Sequence, residues 1–462
     1  MADLMLDLVH FVVSTDYEDL SEDVIDYAKK HILDTIGGIV AGSSAEGITP
    51  AVDLAMEWGG SPQASILLFG GKVPVPSAAF AIGPMARALD FGAVHSEANE
   101  HPNEYTLAAA LPVAEFHRCS GRDLITALAL GNEIIVRIGA SVHTITPVSM
   151  TKTHAVFRIW GPVAAAGKLL RLDEETMMNA MGLAFTQGGG DNQMYVDCVL
   201  KIRVQHGLVA DTAIRCALLA QKGVTGTRNI LQGDRGFYAA FSPQHDLTWV
   251  TDGLERKEFK ATSTRIKGYP TCTYTHSPIE TAIWCVRDNQ IDAQHIVEID
   301  VGVNTPTYRQ VCEPLESRCH PRTPIDCQFS IPYTVACAVA TGKVFIDDFT
   351  DEAIQRPQIR HMMQKVKCRI DSEIDQFCPA GFDGAKVTIR TGDGNEYHKR
   401  VDYVKGTPQN PMSFDEVVDK FRRCTPFSVK PLPDRNVNEL IDMARNLEDV
   451  EDVSVMVQLL TP

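Results

Sequence analysis

Residues 120–142 read SGRDLITALALGNEIIVRIGASV, and this stretch decides the fold class of the first half of the chain. Its apolar residues recur at the three- and four-residue spacing of an α-helix rather than at the alternate spacing of a strand. Ser120 is a suitable helix N-cap, and Asp123 follows three residues later, as in a short capping box. The stretch therefore predicts one long helix that begins directly after Ser120.

The same helical spacing recurs in segment after segment from about residue 1 to about residue 245. It is clear in SEDVIDYAKKHILDTIGGIVAG at 21–42 and in LDEETMMNAMGLAF at 172–185. We expect the second of these helices to begin at an acidic cap near Asp173 and to stop at Gly188–Gly190. Short connections without a fixed-period repeat favour a compact helical bundle over a solenoid.

The pattern changes after about Lys267. HIVEIDVGVN at 295–304 and AKVTIRTGDGNEYHKRVDYV at 385–404 alternate apolar and polar residues, and TGDGNE supplies a hairpin turn. From about Ser413 the spacing is helical again. The chain is therefore predicted to be mainly α with an α+β insertion: a helical domain from 1–266 and 406–462, and an α+β domain from 267–405. Ligand sites are common at such junctions, so we expect a cleft there.

Charge and composition restrict the partners. The 462 residues include 43 Lys plus Arg against 59 Asp plus Glu, which gives a net charge of −16. This balance argues against nucleic acid or an anionic membrane as a partner, and an anionic ligand would need a local basic pocket. We find no apolar run of about 18 residues and no leader with a basic flank, so we expect a cytoplasmic protein. The twelve cysteines include no C-x-x-C and are predicted to be reduced core residues.

The stretch LDFGAVHSEANEHPNE at 89–104 holds the densest group of proton-carrying side chains. Asp90 directly follows an apolar run, and His101 precedes a proline that favours an extended backbone. A solvated loop would explain either residue alone, but together they are candidate catalytic groups. The acidic residues Glu97, Glu100 and Glu104 are predicted to lie on the surface.

Two further clusters precede the change of pattern. KTHAVFRIWGPVAAAG at 152–167 places His154 ahead of an alanine-rich helix, where a histidine is more often structural than catalytic. VLKIRVQHG at 199–207 places Lys201 and Arg203 two residues apart, with His206 nearby. A basic helix end that contacts its own terminal carbonyls is the ordinary explanation, and an anion-binding pair is the functional one.

A fourth cluster, STRIKGYPTCTYTHSPIE at 263–280, lies at the predicted domain boundary. It contains Arg265, Lys267, Tyr274 and His276. Basic side chains beside a cleft of an acidic protein suit a carboxylate ligand, although lysines in linkers are commonly just solvated.

Several cofactor classes have no motif in this sequence. The glycine runs match neither a dinucleotide-binding fingerprint nor a P-loop, and H-E-x-x-H is absent. Cys312, Cys319, His320 and Cys327 fit no standard metal or iron–sulfur spacing. We therefore predict neither a metal nor another cofactor.

The sequence resembles the MmgE/PrpD family, whose members include 2-methylcitrate dehydratase, cis-aconitate decarboxylase and iminodisuccinate epimerase. The resemblance extends over nearly the whole chain. It is carried by LDF and HP within 89–102, SGRDLITALALGNEI, THAVFRIWGPVAAAGKLLRLD, KGYPTCTYTHSPIE, SIPYTVACAVATG and VDYVKGTPQNPMSFDEVVDKF. It implies a helical domain with an inserted α+β lid, a homodimer, and a metal-free site in the cleft between the domains. By motif position it implies five catalytic residues: Asp90, His101, His154, Lys267 and Tyr333.

The sequence departs from the family pattern at two places. A lysine is usual at the position that Ile202 occupies here, so that either Lys201 or Arg203 is expected to bind the anion in its place. Small residues usually follow the His-Pro pair, where this chain has Asn103 and Glu104. Both departures bear on which substrate is bound.

The resemblance implies chemistry at a carbon beside a carboxylate, which needs a base and cationic groups near the developing charge. We expect His101 or His154 to be the base, Asp90 to orient an imidazole, and Tyr333 to donate to the substrate. The residues expected to bind carboxylates are Lys201, Arg203, Arg265, Lys267 and His276.

The expected activity is that of a lyase on a small di- or tricarboxylic acid, with a 2-methylcitrate dehydratase-like hydro-lyase preferred. A cis-aconitate-type decarboxylase and an iminodisuccinate-type epimerase are alternatives on the same scaffold. A metal-dependent hydratase is a competing class, which the lack of C-x-x-C disfavours. A catalytically silent binding protein is a more distant alternative, which Ile202 favours.

Overall fold

The computed structural model describes residues 3–144, 156–189, 194 and 199–461, and it divides into two compact units. The helical unit comprises Met1–Ala88, Gly92–Ile266 and Met412–Pro462, and the α+β unit comprises Leu89–Phe91 and Lys267–Pro411. The α+β unit thus ends at Pro411, six residues beyond residue 405, where the sequence predicted its end. The grouping of Leu89–Phe91 with the α+β unit was not foreseen. The predicted fold class, mainly α with a smaller α+β part, is confirmed.

The helical unit is built from α-helices and one short antiparallel pair of strands, β1 (Ala64–Ser65) and β2 (Lys72–Val73). Its described α-helices are Leu4–Ser14, Glu22–Gly42, Ile48–Trp58, Val75–Arg87, Pro102–His117, Gly121–His143, Trp160–Leu169, Glu174–Ala184, Lys201–Gln221, Phe237–Phe241, Thr248–Thr251, Phe414–Cys424, Asp434–Arg445 and Ser454–Leu459.

The stretch at 120–142 forms the central helix Gly121–His143, and the predicted capping box is confirmed. Ser120 Oγ accepts a hydrogen bond from the Asp123 N–H at 3.2 Å, and Asp123 Oδ2 accepts one from the Ser120 N–H at 2.9 Å. By length and composition this helix is apolar enough to cross a membrane, contrary to our expectation that no such run exists. Its apolar window is completely buried in the helical unit, as in the core helix of a globular domain.

Two glycines allow the helices Val75–Arg87 and Lys201–Gln221 to approach closely. A Cβ atom at Gly83 would lie 2.4 Å from the backbone nitrogen of Gly207, and one at Gly207 would lie 2.1 Å from the carbonyl oxygen of Phe80. Real Cβ atoms are not found at such distances from backbone atoms. The absence of side chains at both positions therefore permits this crossing.

The α+β unit contains a four-stranded sheet in the order β4-β3-β5-β6, formed by β3 (Ile296–Val303), β4 (Val366–Ile370), β5 (Ala385–Thr391) and β6 (Glu396–Val401). β3 runs parallel to β4 and antiparallel to β5, and β5 pairs antiparallel with β6 in the predicted hairpin. The described helices of this unit are His276–Asp288, Thr305–Val311, Leu315–Cys319, Pro324–Gln328, Ile331–Thr341, Asp351–Ile354, Pro357–Met363 and Ser372–Phe377.

Alternation along β5 places the apolar face of the sheet in a core. Its residues are alternately buried and half-buried, so Val387 and Ile389 point to the same side. They pack in one cluster with apolar residues of the helices His276–Asp288 and Ile331–Thr341.

The helix near Asp173 and the state of the cysteines were also predicted from sequence. The helix predicted to begin near Asp173 does so, with the Asp173 side chain as its cap, but it ends at Ala184 rather than at the glycines because Phe185 is already extended. All cysteines in the described part of the chain are free thiols, as predicted.

Candidate active site

Asp90 and Lys267 form a buried pair in the α+β unit. The Lys267 ammonium donates to Asp90 Oδ1 at 3.1 Å, to the Asp90 carbonyl at 3.0 Å and to the Thr271 carbonyl at 3.1 Å. These acceptors match the three hydrogens of an ammonium group. Asp90 has a left-handed backbone, with φ at 50°, which aspartate tolerates better than most residues. The structure thus brings together two of the predicted catalytic residues.

The surrounding loops are tied to the same pair. The Thr271 carbonyl also lies 3.3 Å from His276 Nε2, which donates to it. Gln328 Nε2 donates to the carbonyls of Leu89 and Pro270, each at 2.9 Å. His276 is buried, and this contact gives it a role in fixing the acceptor of Lys267. Its predicted role in binding substrate stays a prediction.

Cys272 is a neighbour of the pair that the sequence analysis did not select. Burial, and after it the Asp90 charge, raises the pKa of its thiol to about 12, although the Lys267 charge opposes the rise. The side chain therefore remains a neutral thiol near neutral pH. Its place within KGYPTCTYTH was the only available signal, since no cysteine motif surrounds it.

Tyr333 has a different setting from the one expected. Its hydroxyl donates to the Asp348 carbonyl at 2.6 Å, and its ring is buried in the core of the α+β unit. Burial raises the pKa of this phenol. It has no hydrogen bond to Asp90 or Lys267. The hydroxyl proton has this acceptor in the structure, and the predicted donation to substrate stays a prediction.

His101 belongs to the helical unit and is the N-cap residue of the helix Pro102–His117. Its Nδ1 lies 3.0 Å from the Ala93 carbonyl oxygen, which can only accept. Nδ1 therefore carries a proton, and in the neutral ring the lone pair is on Nε2. The ring is half-buried. This arrangement gives His101 a defined basic nitrogen, and Asp90 is not the residue that fixes Nδ1.

Two of the three acids predicted to be on the surface are buried. Glu97 is exposed, but Glu100 is 1% and Glu104 0% exposed. A Glu100 carboxylate oxygen accepts from Arg158 Nε at 2.8 Å, and Glu104 Oε2 lies 3.0 Å from His206 Nε2. For Glu100 and Glu104 the prediction was wrong, because the partners that stabilise their buried carboxylates come from distant segments of the chain.

These carboxylates belong to one buried polar network in the helical unit. The His206 ring stacks on Tyr105 with centroids 3.8 Å apart, and Arg158 donates to the Tyr105 hydroxyl at 3.1 Å. Arg87 Nε lies 3.8 Å from Glu104 Oε2. Buried charges are retained where such partners surround them. The network fixes the helix that begins beside His101.

The cations near the family lysine position face different surroundings. Lys201 is the exposed first residue of its helix, while Ile202 and Arg203 are buried. Arg203 donates to the Glu46 carbonyl, and burial lowers the pKa of its guanidinium. These contacts do not show anion binding by Lys201 or Arg203, and that role stays a prediction for both.

Arg265 is buried in the helical unit. Its backbone forms a bridge with Val94, and its Nη2 donates to Ser96 Oγ at 2.8 Å. This holds the strand-like segment after Gly92 in place. Binding of substrate by Arg265 stays a prediction.

His154 lies outside the described residues, so the alternative between His101 and His154 as base stays open. Among residues 3–144, 156–189, 194 and 199–461, no group of three or more His, Cys, Asp or Glu is placed to hold a metal ion. The expectation of a metal-free site stays a prediction.

Comparison with protein families accounts for most of the chain. The sequence model of the MmgE/PrpD N-terminal domain matches residues 6–250, and that of the MmgE/PrpD C-terminal domain matches residues 269–449. The chain belongs to the MmgE/PrpD family. The second match includes both the α+β unit beyond residue 269 and much of the C-terminal helical segment, so the family division differs from the compact units.

Similar curated proteins cover the MmgE/PrpD chain almost end to end. A cis-aconitate decarboxylase-like protein of Aspergillus oryzae is 26% identical over 98% of this chain and 96% of its own. Cis-aconitate decarboxylase of Aspergillus terreus is 26% identical over 98% and 95%. The human cis-aconitate decarboxylase is 26% identical over 96% and 91%. These names support a lyase, but they do not support our preference for a dehydratase.

Proposed function

We propose that this MmgE/PrpD protein is a cis-aconitate-type decarboxylase. The observation that carries the proposal is the end-to-end similarity to proteins named cis-aconitate decarboxylase, from Aspergillus terreus and from human. The cis-aconitate decarboxylase-like protein of Aspergillus oryzae shows the same end-to-end similarity. The decarboxylase alternative therefore replaces the hydro-lyase as the preferred activity.

The reaction makes limited demands on the protein. The bond from the methylene carbon to its carboxylate breaks, and carbon dioxide leaves. The electron pair forms a new terminal double bond, the original double bond shifts, and the carbon beside a remaining carboxylate takes up one proton. A tricarboxylate trianion and a proton thus give carbon dioxide and an unsaturated dicarboxylate dianion. The site must hold negative charge and deliver one proton to carbon.

Two described residues suit these roles, each within its own unit. Lys267 supplies a fixed ammonium group in the α+β unit, where Asp90 and two carbonyls orient it. His101 supplies Nε2 in the helical unit, since Nδ1 is held by Ala93. When Nε2 is protonated, the ring can release that proton to carbon while the Ala93 contact remains. Lys201 or Arg203 would bind a second carboxylate.

The test is proton NMR of the full-length protein in heavy water with cis-aconitate, citrate, 2-methylcitrate and iminodisuccinate supplied separately. We expect cis-aconitate alone to give carbon dioxide and an unsaturated dicarboxylate with one deuterium at the carbon that was protonated. Gain or loss of water would identify a hydratase or dehydratase instead. Exchange without net conversion of iminodisuccinate would identify an epimerase. Either result would overturn the proposal.

A matched pair of variants separates catalysis from contamination. Lys267→Met should abolish carbon dioxide release. Lys343→Met should not, because Lys343 is an exposed residue of the same unit whose partner is Asp347 at 2.7 Å. Equal activity in both variants would show that Lys267 has no part in the reaction.

A further inference from the structure

A cavity lies within the α+β unit, and no predicted anion-binding residue lines it. Its volume is about 560 Å³, within the range of pockets that bind small molecules. The polar side chains around it are His320, Arg322, Gln355, Arg360 and Gln364. His320 and Arg322 follow the helix Leu315–Cys319, and Arg360 lies within the helix Pro357–Met363. Gln355 and Gln364 lie just before and just after that second helix.

The cavity is basic although the chain as a whole is acidic. None of its lining residues is an acid. In the described part of the chain, the guanidinium groups of Arg322 and Arg360 have neither an ion-pair partner nor a hydrogen-bond acceptor. Asp326 is close in sequence, but its Oδ2 accepts from the backbone N–H groups of Arg322 and Thr323 at 3.1 Å. The two charges are thus available to a ligand.

Neighbouring arginines behave differently. Arg356 donates to Asp348 Oδ1 at 3.0 Å, and Arg318 donates to the carbonyls of Glu313 and Gln310, each at 3.1 Å. Arg356 and Arg318 are thus held by acceptors of the unit itself, whereas Arg322 and Arg360 are not.

The floor of the cavity is uncharged. Ile354 and Met363 are apolar and buried. Tyr333 completes the floor, and burial raises the pKa of its phenol, so that it carries no negative charge at neutral pH. An anion that entered would meet cations and amides, and none of the residues that line the cavity would oppose its charge.

We propose that this cavity binds a small polyanion with at least two carboxylate or phosphate groups. Arg322 and Arg360 would each take one group, since a guanidinium matches either oxyanion with two parallel hydrogen bonds. The amides of Gln355 and Gln364 can add further donors. The site goes beyond the proposed decarboxylation, because Asp90, Lys267 and His101 do not line it. Of the predicted catalytic residues that the structure describes, only Tyr333 lines it, with its hydroxyl bonded to the Asp348 carbonyl.

The test is isothermal titration of the full-length protein at low ionic strength with citrate and pyrophosphate in separate experiments. The variants are Arg322→Ala, Arg360→Ala and the double variant. Arg309→Ala is the control, because Arg309 is an exposed arginine of the same unit outside the cavity. All three side chains that are removed are exposed, so the fold should survive.

We expect each single variant to weaken binding at least tenfold and the double variant to lose one site per chain, while Arg309→Ala binds as the wild type does. Tighter binding of citrate would identify a polycarboxylate site, and tighter binding of pyrophosphate a phosphate site. The proposal fails if the wild type binds neither anion at millimolar concentration, or if the double variant gives the wild-type isotherm. Binding is measured without turnover, so a failure of the decarboxylase proposal would leave this test intact.

Cys319 offers a second measurement, because its half-buried side chain also lines the cavity. Alkylation of this thiol can be followed by peptide mass spectrometry. We expect the preferred anion to slow alkylation of Cys319 in the wild type and in Arg309→Ala, but not in the double variant. A rate that does not respond to the anion in the wild type would contradict the proposal.

Discussion

Lys267 contacts Asp90 twice, through the side-chain Oδ1 at 3.1 Å and through the backbone carbonyl at 3.0 Å. The ammonium group therefore holds both the charge and the left-handed backbone of Asp90, where φ is 50°. Positive φ at a non-glycine residue persists where the surroundings enforce it. In the α+β unit the enforcing group is itself a predicted catalytic residue.

Lys267→Met should destabilise the protein as well as inactivate it. The substitution leaves the Asp90 carboxylate buried without its cation, and loss of one partner of a buried pair costs about 3–5 kcal/mol. Urea denaturation of Lys267→Met and of the exposed control Lys343→Met measures the difference. The control should change stability by less than about 1 kcal/mol. Equal unfolding midpoints would mean that the pair contributes nothing to the fold.

His101→Asn should distinguish the structural role of Nδ1 from the proposed catalytic role of Nε2. The asparagine amide can replace Nδ1 as the donor to Ala93, but it has no counterpart of Nε2. We expect kcat to fall by about 10²–10⁴, the usual contribution of a general acid or base, with little loss of stability. His117→Asn, at the exposed end of the same helix, is the control. Wild-type turnover in His101→Asn would leave His154 as the remaining candidate.

Glu104→Gln should reduce stability without any direct effect on substrate. The carboxylate lies 3.0 Å from His206 Nε2 and 3.8 Å from Arg87 Nε, so its neutralisation removes the charge that compensates buried Arg87 and weakens the contact with His206. We expect a loss of about 2–4 kcal/mol in the free energy of unfolding. Glu57→Gln, on an exposed face, should lose less than about 0.5 kcal/mol. Similar values for both variants would contradict the buried network.

Glu280 predicts a pH dependence of stability. It is 4% exposed, and burial raises its pKa from 4.5 to about 7, while hydrogen bonds from the Lys405 N–H oppose the rise. Between these values the folded state binds the proton more tightly than the unfolded state does. Stability should therefore fall as the pH rises from about 4.5 to about 7, by about 3 kcal/mol.

Glu280→Gln should remove that dependence. The difference in unfolding free energy between variant and wild type isolates this group from the others that titrate in the same range. We expect the variant to gain on the wild type as the pH rises towards 7 and to keep its advantage at higher pH. Chemical denaturation at a series of pH values measures this, and a difference independent of pH would be the contrary result.

Local chemistry made part of the structure predictable. The capping box at Ser120 and the hairpin at TGDGNE depend on neighbouring residues alone, so sequence spacing was sufficient. Asp90 and Lys267 are far apart in sequence, and only family resemblance placed them in one site. Their direct contact was not anticipated, and neither was the second carbonyl that Lys267 uses.

Burial of charge was the part that spacing could not predict. Glu100 and Glu104 occur in a polar stretch, and a polar stretch is ordinarily solvated. Their partners Arg158 and His206 lie on other segments, and no local pattern reveals such distant pairing. Sequence spacing also could not reveal the acceptor of the Tyr333 hydroxyl, which is the Asp348 backbone carbonyl. The predicted donation of this hydroxyl to substrate stays a prediction.

The close crossing at Gly83 and Gly207 also sets the separation of two cations. Arg87 lies one turn after Gly83 and Arg203 one turn before Gly207, so each shares a helix face with its glycine. The charge of Arg87 already contributes to the lowered pKa of Arg203, after burial. A methyl group at either glycine would force the two helices apart. It would thereby change the effect of the Arg87 charge on Arg203 without replacing a charged residue. For protein engineering, the two glycines are positions at which the separation of Arg87 and Arg203 can be changed while both charges are kept.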